Sequence, residues 1–301
     1  MKAPQNLRVF GSRSIYQNFL PPKGELFSSC EFILADPAKA QQFFDQDCGE
    51  NSITIVINPF EYSRQSVELL TGEVWLWFLR RVAEPELEVF GFPDRLGQQA
   101  REILESRQHF VRAIQMKQNW KVVVSDAASR DFCETLGVRA VLSPPPVRAD
   151  ARQHLAATRS HKADFLVFTD SSDYGRPFRA AISQWMRSGR ARSQMDTGAL
   201  LLATHSVVIG ESVLPDFPYE VAISLALGKT VIAGALNPLW GLEPGIDLVE
   251  FSTPEELFHL LEMTSRFPQR THLMARRGKM KAALFSSDLI FSRLMAGELD
   301  Y

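Results

Sequence analysis

Three consecutive prolines, Pro144, Pro145 and Pro146, interrupt the chain near its middle, and neither a helix nor a central strand can run through them. On both sides short apolar, β-branched runs alternate with polar or amphipathic stretches. Before the prolines, strands are expected at 7–11, 31–36, 53–59, 87–93, 121–126 and 139–147, the first four each closing on Gly, Pro or Asp. Helices are expected between them at 37–45, 66–83, 95–118 and 127–136. Strands that alternate with helices build a largely parallel sheet, and a run such as Val122-Val123-Val124 suits a strand covered on both faces.

A second alternation begins beyond the prolines. "KADFLVFTDSS" reads as a strand, and "RPFRAAISQWMRSG" as a helix with Pro177 in its first turn. "GALLLATHSVVIGES" supplies a helix and a strand. A helix at 219–227, a strand at 230–234, a strand at 245–252 and helices at 268–285 and 288–295 complete the series. Thr253 and Glu256 stand at capping-box spacing before "LFHLLEMT". The expected organisation is an N-terminal Rossmann-like domain over 1–145, a Pro-rich linker over 146–161, a C-terminal Rossmann-like domain over 162–285 and a closing helix over 286–301. The fold class is therefore α/β, two Rossmann-like domains facing a cleft. Ligands of such sheets bind beyond the carboxyl ends of the strands.

Gly228-Lys229-Thr230 has the tail of a phosphate-binding P-loop, but Ile223 stands where that loop needs its first glycine. The order is also reversed, because a helix ends at Gly228 and a strand follows. No G-x-G-x-x-G follows the first strand, and no G-x-S-x-G elbow occurs. A net charge of −2 over 301 residues argues against a nucleic-acid-coating protein. Cys30, Cys48 and Cys133 are scattered and the six histidines dispersed, so reduced thiols and no metal centre are expected. "EVWLWFLRRVAE" is too short and too charged to span a bilayer, and the N-terminus lacks the apolar core of a signal peptide. A cytoplasmic location is the expectation.

In the second half, Phe217 and Glu220 open a helix before "GKTVIAG", Gly245 to Phe251 form a G-x-D-x-V-x-F strand, Pro254 to Leu257 head a "PEEL" helix, and Arg293 lies near the end. In this order the segments resemble the C-terminal domain of GT-B glycosyltransferases, most closely the CgeB-like group and glycosyltransferase group 1-like proteins. The resemblance covers roughly residues 120–295. It implies a metal-independent glycosyltransferase, with no cofactor, that moves a sugar from a nucleotide-sugar donor to an unidentified glycan, lipid-linked or protein acceptor. The alternatives on the same scaffold are a non-catalytic nucleotide-sugar-binding or assembly protein and a sugar-nucleotide epimerase.

The resemblance assigns Glu220 to the ribose hydroxyls, with Phe217, Pro218 and Tyr219 beside it. A carboxylate there also suits the helix dipole. Eight positions before Glu220 stands Ser212, with Glu211 one further back, an offset from the E-x7-E of retaining enzymes. Glu211 belongs to the loop expected over the base. Arg176 and Arg179 are candidates for the diphosphate, since a guanidinium matches phosphate geometry. Arg187, Arg190 and Arg192 read as a solvated face. Trp240 either touches donor or plugs an interface. In the first domain Asp94 and Glu61 are the candidate general bases, and Asp126 reads as the cap of the helix behind it. From 265 to 287 six cations occur without an acid, either a solvated face or a docking face for anionic lipid or an acidic acceptor.

Overall fold

The computed structural model describes residues 6–11, 30–34, 42, 44, 52–83, 98–114, 120–148, 163–168, 176–193, 205–210, 217–236 and 239–298. The chain divides into two compact units, one of Met1–Pro145 with Ser287–Tyr301, the other of Pro146–Ser286. The last helix thus returns to the first unit.

The first unit holds strands β1 (Asn6–Gly11), β2 (Cys30–Leu34), β3 (Ser52–Ile57), β4 (Glu73–Trp77), β5 (Trp120–Val124) and β6 (Ala140–Leu142). They form one sheet in the order β2-β1-β3-β4-β5-β6, and every pairing is parallel. Its helices are α1 (Arg64–Glu68), α2 (Gln98–Ile114), α3 (Ala127–Thr135) and α8 (Ser287–Ala296). Ile55, Val56, Val74, Leu76 and Val122 to Val124 are all buried, as strands covered on both faces require. Asp126 caps α3 as expected: its carboxylate accepts the Ser129 N–H at 2.9 Å and the Ser129 hydroxyl at 2.7 Å.

One expected helix is in part a strand. In 66–83 the helix is confined to α1, Gly72 takes a φ of 81°, and β4 follows. A helix-like apolar spacing there is overridden because Val74, Trp75, Leu76 and Trp77 are buried together between β3 and β5. The strand expected at 87–93 and most of the helix expected at 37–45 lie outside the described residues.

The second unit holds β7 (Phe165–Phe168), β8 (Ala191–Ser193), β9 (Ser206–Ile209), β10 (Thr230–Gly234) and β11 (Val249–Phe251), in the order β11-β10-β9-β7-β8, again all parallel. Its helices are α4 (Arg176–Arg187), α5 (Tyr219–Ala226), α6 (Pro254–Arg266) and α7 (Pro268–Lys281). The capping box of α6 is formed in full. Thr253 Oγ1 accepts the Glu256 N–H at 3.1 Å, and Glu256 Oε2 accepts the Thr253 N–H at 3.3 Å. Strand β8 carries Arg192, one of the three arginines read as a solvated face. Arg190 lies in the turn before it, donates to Asp164 at 2.6 Å, bonds Ser265 and stacks on Trp185. It joins β7, α4 and α6 rather than serving only solvation.

Each sheet has one point where the chain reverses its direction of winding. In the first unit β1 leads outward to β2, while β3 to β6 build from its other side. In the second, β7 leads to β8, while β9 to β11 build from its other side. At such a reversal, the loops from adjacent strands part and open a crevice at the carboxyl edge.

Candidate functional site

In the second unit the reversal falls between β7 and β9. Their paired ends are Phe168 and Ile209, and the Gly210 N–H donates to the Phe168 carbonyl at 2.7 Å just beyond them. The segment after β7 leads into α4, which opens with Arg176 and carries Arg179 in its first turn. The segment after β9 leads into α5, which opens with Tyr219 and Glu220. Topology alone therefore gathers two arginines and a helix-heading carboxylate at one sheet edge. Glu211 and the rest of 211–216 lie outside the described residues, and so does the side chain of Arg176. Arg179 is half-buried.

Helix α5 is anchored by its apolar residues. Val221, Ala222, Ile223 and Leu225 are completely buried, and each large aliphatic side chain contributes about 1.5–3 kcal/mol. Pro218 is the N-cap, with extended backbone and no side-chain cap, and the Val221 N–H donates to its carbonyl at 3.0 Å. Phe217 is fully buried with its ring 5.7 Å from that of Phe285. It and the buried Pro218 hold the start of α5 in place from beneath. Tyr219 and Glu220 are half-buried at that start. A helix N-terminus favours an anion, because its first N–H groups lack intrahelical partners and the peptide dipoles align there.

Trp240 packs on the same core cluster as Tyr219, and Phe168 joins them, so three partly exposed aromatic rings rim this cluster. Trp240 lies in a tight turn closed by Leu242 N–H to Leu239 carbonyl at 2.9 Å. Its φ is 52° and that of Gly241 is 80°, a left-handed pair. Such a φ on a bulky side chain stores roughly 1–3 kcal/mol, and it sets where the indole lies. The G-x-D-x-V-x-F segment is explained by packing. Asp247 is buried and accepts the Glu243 N–H at 3.0 Å, while Lys281 Nζ donates to the Gly241 carbonyl at 2.9 Å and lies 4.0 Å from Asp247 Oδ2. These contacts pin the turn that carries Trp240.

In the first unit the reversal falls between β1 and β3, and Glu61 follows β3 in a short 3-10 turn, Pro59–Glu61. Asn58, at a φ of 49°, organises this edge. Its Nδ2 donates to Glu61 Oε1 at 3.1 Å, its Oδ1 accepts the Leu79 N–H at 3.1 Å, and its N–H donates to the Trp77 carbonyl at 2.8 Å. Asparagine tolerates the left-handed region better than most residues. Burial, with the Glu61 charge beside it, pushes the Tyr62 phenol well above its ordinary value. Asp94 lies outside the described residues.

Next to this turn an open depression of about 540 Å3 is lined by Phe60, Tyr62, Arg64, Glu102, Glu105, Ser106, His109 and Phe110. The α2 residues among them stand at 102, 105, 106 and 109, the spacing of one helix face, which was legible in the sequence. Asn58 carried no such signal. Cys133 is buried and its thiol is pushed up to about 12 by burial and by the charges of Asp126 and Glu134, so it is not a nucleophile at neutral pH.

The sequence matches no protein-family model and no curated protein. Solved structures share its fold over nearly the whole chain. HepE of Anabaena in complex with UDP-glucose is 11% identical, with 97% of this chain and 98% of that one aligned at a TM-score of 0.55. Sucrose-phosphate synthase from Thermosynechococcus elongatus is 12% identical over 97% of this chain and all of its own, at 0.57. A glycosyltransferase from Rickettsia africae is 10% identical over 97% of each, at 0.55. The two-unit α/β fold is thus the GT-B fold.

Proposed function

We propose that the chain is a GT-B glycosyltransferase that moves a sugar from a nucleotide-sugar to a hydroxyl-bearing acceptor. The observation that carries this reading is the gathering of Glu220, Tyr219, Arg176 and Arg179 at the β7–β9 reversal. Glu220 accepts hydrogen bonds from the ribose, the start of α5 and the two arginines hold the diphosphate, and Trp240 lies against the donor. The segment order from Phe217 to Leu257 favours the CgeB-like group within the fold. The structures of HepE with UDP-glucose and with UDP and glucose make uridine nucleotides the first donors to test.

In the reaction the acceptor hydroxyl attacks the anomeric carbon, the bond from that carbon to the diphosphate oxygen breaks, and the nucleoside diphosphate leaves with the bonding pair. The hydroxyl proton passes to a carboxylate of the first unit, Glu61 or Asp94. Charge builds on the leaving diphosphate, and fixed guanidinium groups and peptide dipoles stabilise it without a metal. The donor and its reaction belong to the cytoplasm.

Titration calorimetry with UDP, GDP, CDP, dTDP and their sugar conjugates tests this. Saturable binding of one nucleotide is expected, unchanged by EDTA and weakened about 10- to 100-fold in Glu220→Ala, the worth of a hydrogen bond to a charged group. No binding at millimolar nucleotide, or equal binding by the variant, would overturn the site. Binding without transfer to any acceptor would leave a nucleotide-sugar-binding protein.

A further inference from the structure

Helix α7 is inverted in its distribution of side chains. The face it buries is small: Ala275 and Gly278 lie against the core, and a Cβ on Gly278 would come within 2.6 Å of Leu225 and 2.7 Å of the Asp247 carbonyl. Two large apolar side chains of the helix, Leu273 and Met280, point the other way. Leu273 is 64% exposed and Met280, two turns later, 71%, while Leu284 in the following 3-10 turn is 50% and Phe267, just before the helix, 48%. At 100° per residue Leu273 and Met280 share one stripe, and Arg276 and Arg277 flank it on either side.

The structure divides the cations of this segment into two groups. Arg266 pairs with Glu262 and Lys281 reaches inward to Glu243 and Asp247. Among the described residues no carboxylate pairs with Arg270, Arg276, Arg277 or Lys279, and Arg270 lies over the Phe267 ring. An apolar stripe on a convex helix, bordered by cations on long stems, fits the boundary of a lipid bilayer. The apolar chains enter the acyl layer, and the arginines stay at the headgroups. Two to four such chains are too few to hold a protein on neutral lipid, so attachment also needs anionic headgroups.

We propose that the outer face of α7, along Leu273 and Met280, is a reversible docking surface for an anionic membrane. This inference rests on α7 alone and stands apart from the donor site.

The test is co-sedimentation of the full chain with vesicles of phosphatidylcholine alone and of phosphatidylcholine and phosphatidylglycerol in equal parts. Binding only to the anionic vesicles, falling steeply with added salt, is expected. R276Q/R277Q should weaken it about 25-fold, near five-fold for each cation. L273S/M280S should also weaken it, with circular dichroism and nucleotide binding unchanged in both variants. Failure to bind anionic vesicles, equal binding to neutral ones, or binding indifferent to L273S/M280S would overturn the proposal. So would binding of soluble polyglutamate as tight as that of vesicles, which would assign the face to an acidic protein.

Discussion

Glu73, at the first position of β4, receives Lys121 Nζ at 2.5 Å and the Trp75 indole N–H at 2.8 Å. Burial alone would raise its carboxyl pKa. The hydrogen bonds from Lys121 and Trp75, with the charges of Lys121 and Arg139, outweigh that and hold it below the usual carboxylate value. A lowered folded value means that its contribution is fully present above the unfolded carboxylate pKa and is lost as pH falls through the folded one. Both partners are partly exposed, which limits the effect. Glu73→Gln should therefore lower stability by about 0.5–1 kcal/mol at neutral pH, and the difference should close in strong acid. Urea unfolding of both proteins at the two pH values checks this. Parallel pH dependences would mean that the β4–β5 ion pair contributes nothing.

At the scale of the element, α7 and α5 approach so closely that Gly278 decides their spacing. Helix propensity by itself favours alanine over glycine by about 1 kcal/mol in a helix interior. Here the added methyl meets the Leu225 side chain and the Asp247 backbone, and only the former can move. Gly278→Ala should therefore destabilise the second unit by about 1–3 kcal/mol, as overpacked sites do. Thermal unfolding decides between the signs. The same displacement would shift the start of α5 and the turn of Trp240, so nucleotide affinity should fall with it. A stabilised variant would show that the helices part freely.

At the scale of the whole molecule, the discontinuous first unit makes its own prediction. Helix α8 returns Ile290, Phe291 and Leu294 to bury almost completely, and Phe291 lies 5.5 Å from Trp77 of β4. The remainder of that unit ends at Pro145. Deleting 287–301 should therefore speed amide exchange in β4 and β5 and leave β9 and β10 protected, since α8 contributes to only one of the two cores. Hydrogen-exchange mass spectrometry reads both sets of peptides at once. Equal loss of protection in the two sheets would show that the units unfold as one.

The alternation of apolar runs and amphipathic stretches by itself determined the α/β class, because a buried parallel strand and a half-buried helix differ in period. Local chemistry did the same for the Thr253–Glu256 box and the Asp126 cap, whose partners lie three residues away. Glu220, Arg176 and Arg179 could be named from the sequence by resemblance and residue type. Only the strand order places the segments that carry them at one reversal, since that order depends on long-range pairing between β7, β8 and β9. Tertiary structure also made a strand of Glu73–Trp77, tied Asn58 to Leu79, buried Phe217 and turned Leu273 and Met280 outward. Each of these outcomes depends on a neighbour distant in sequence. Local periodicity carries no record of such neighbours.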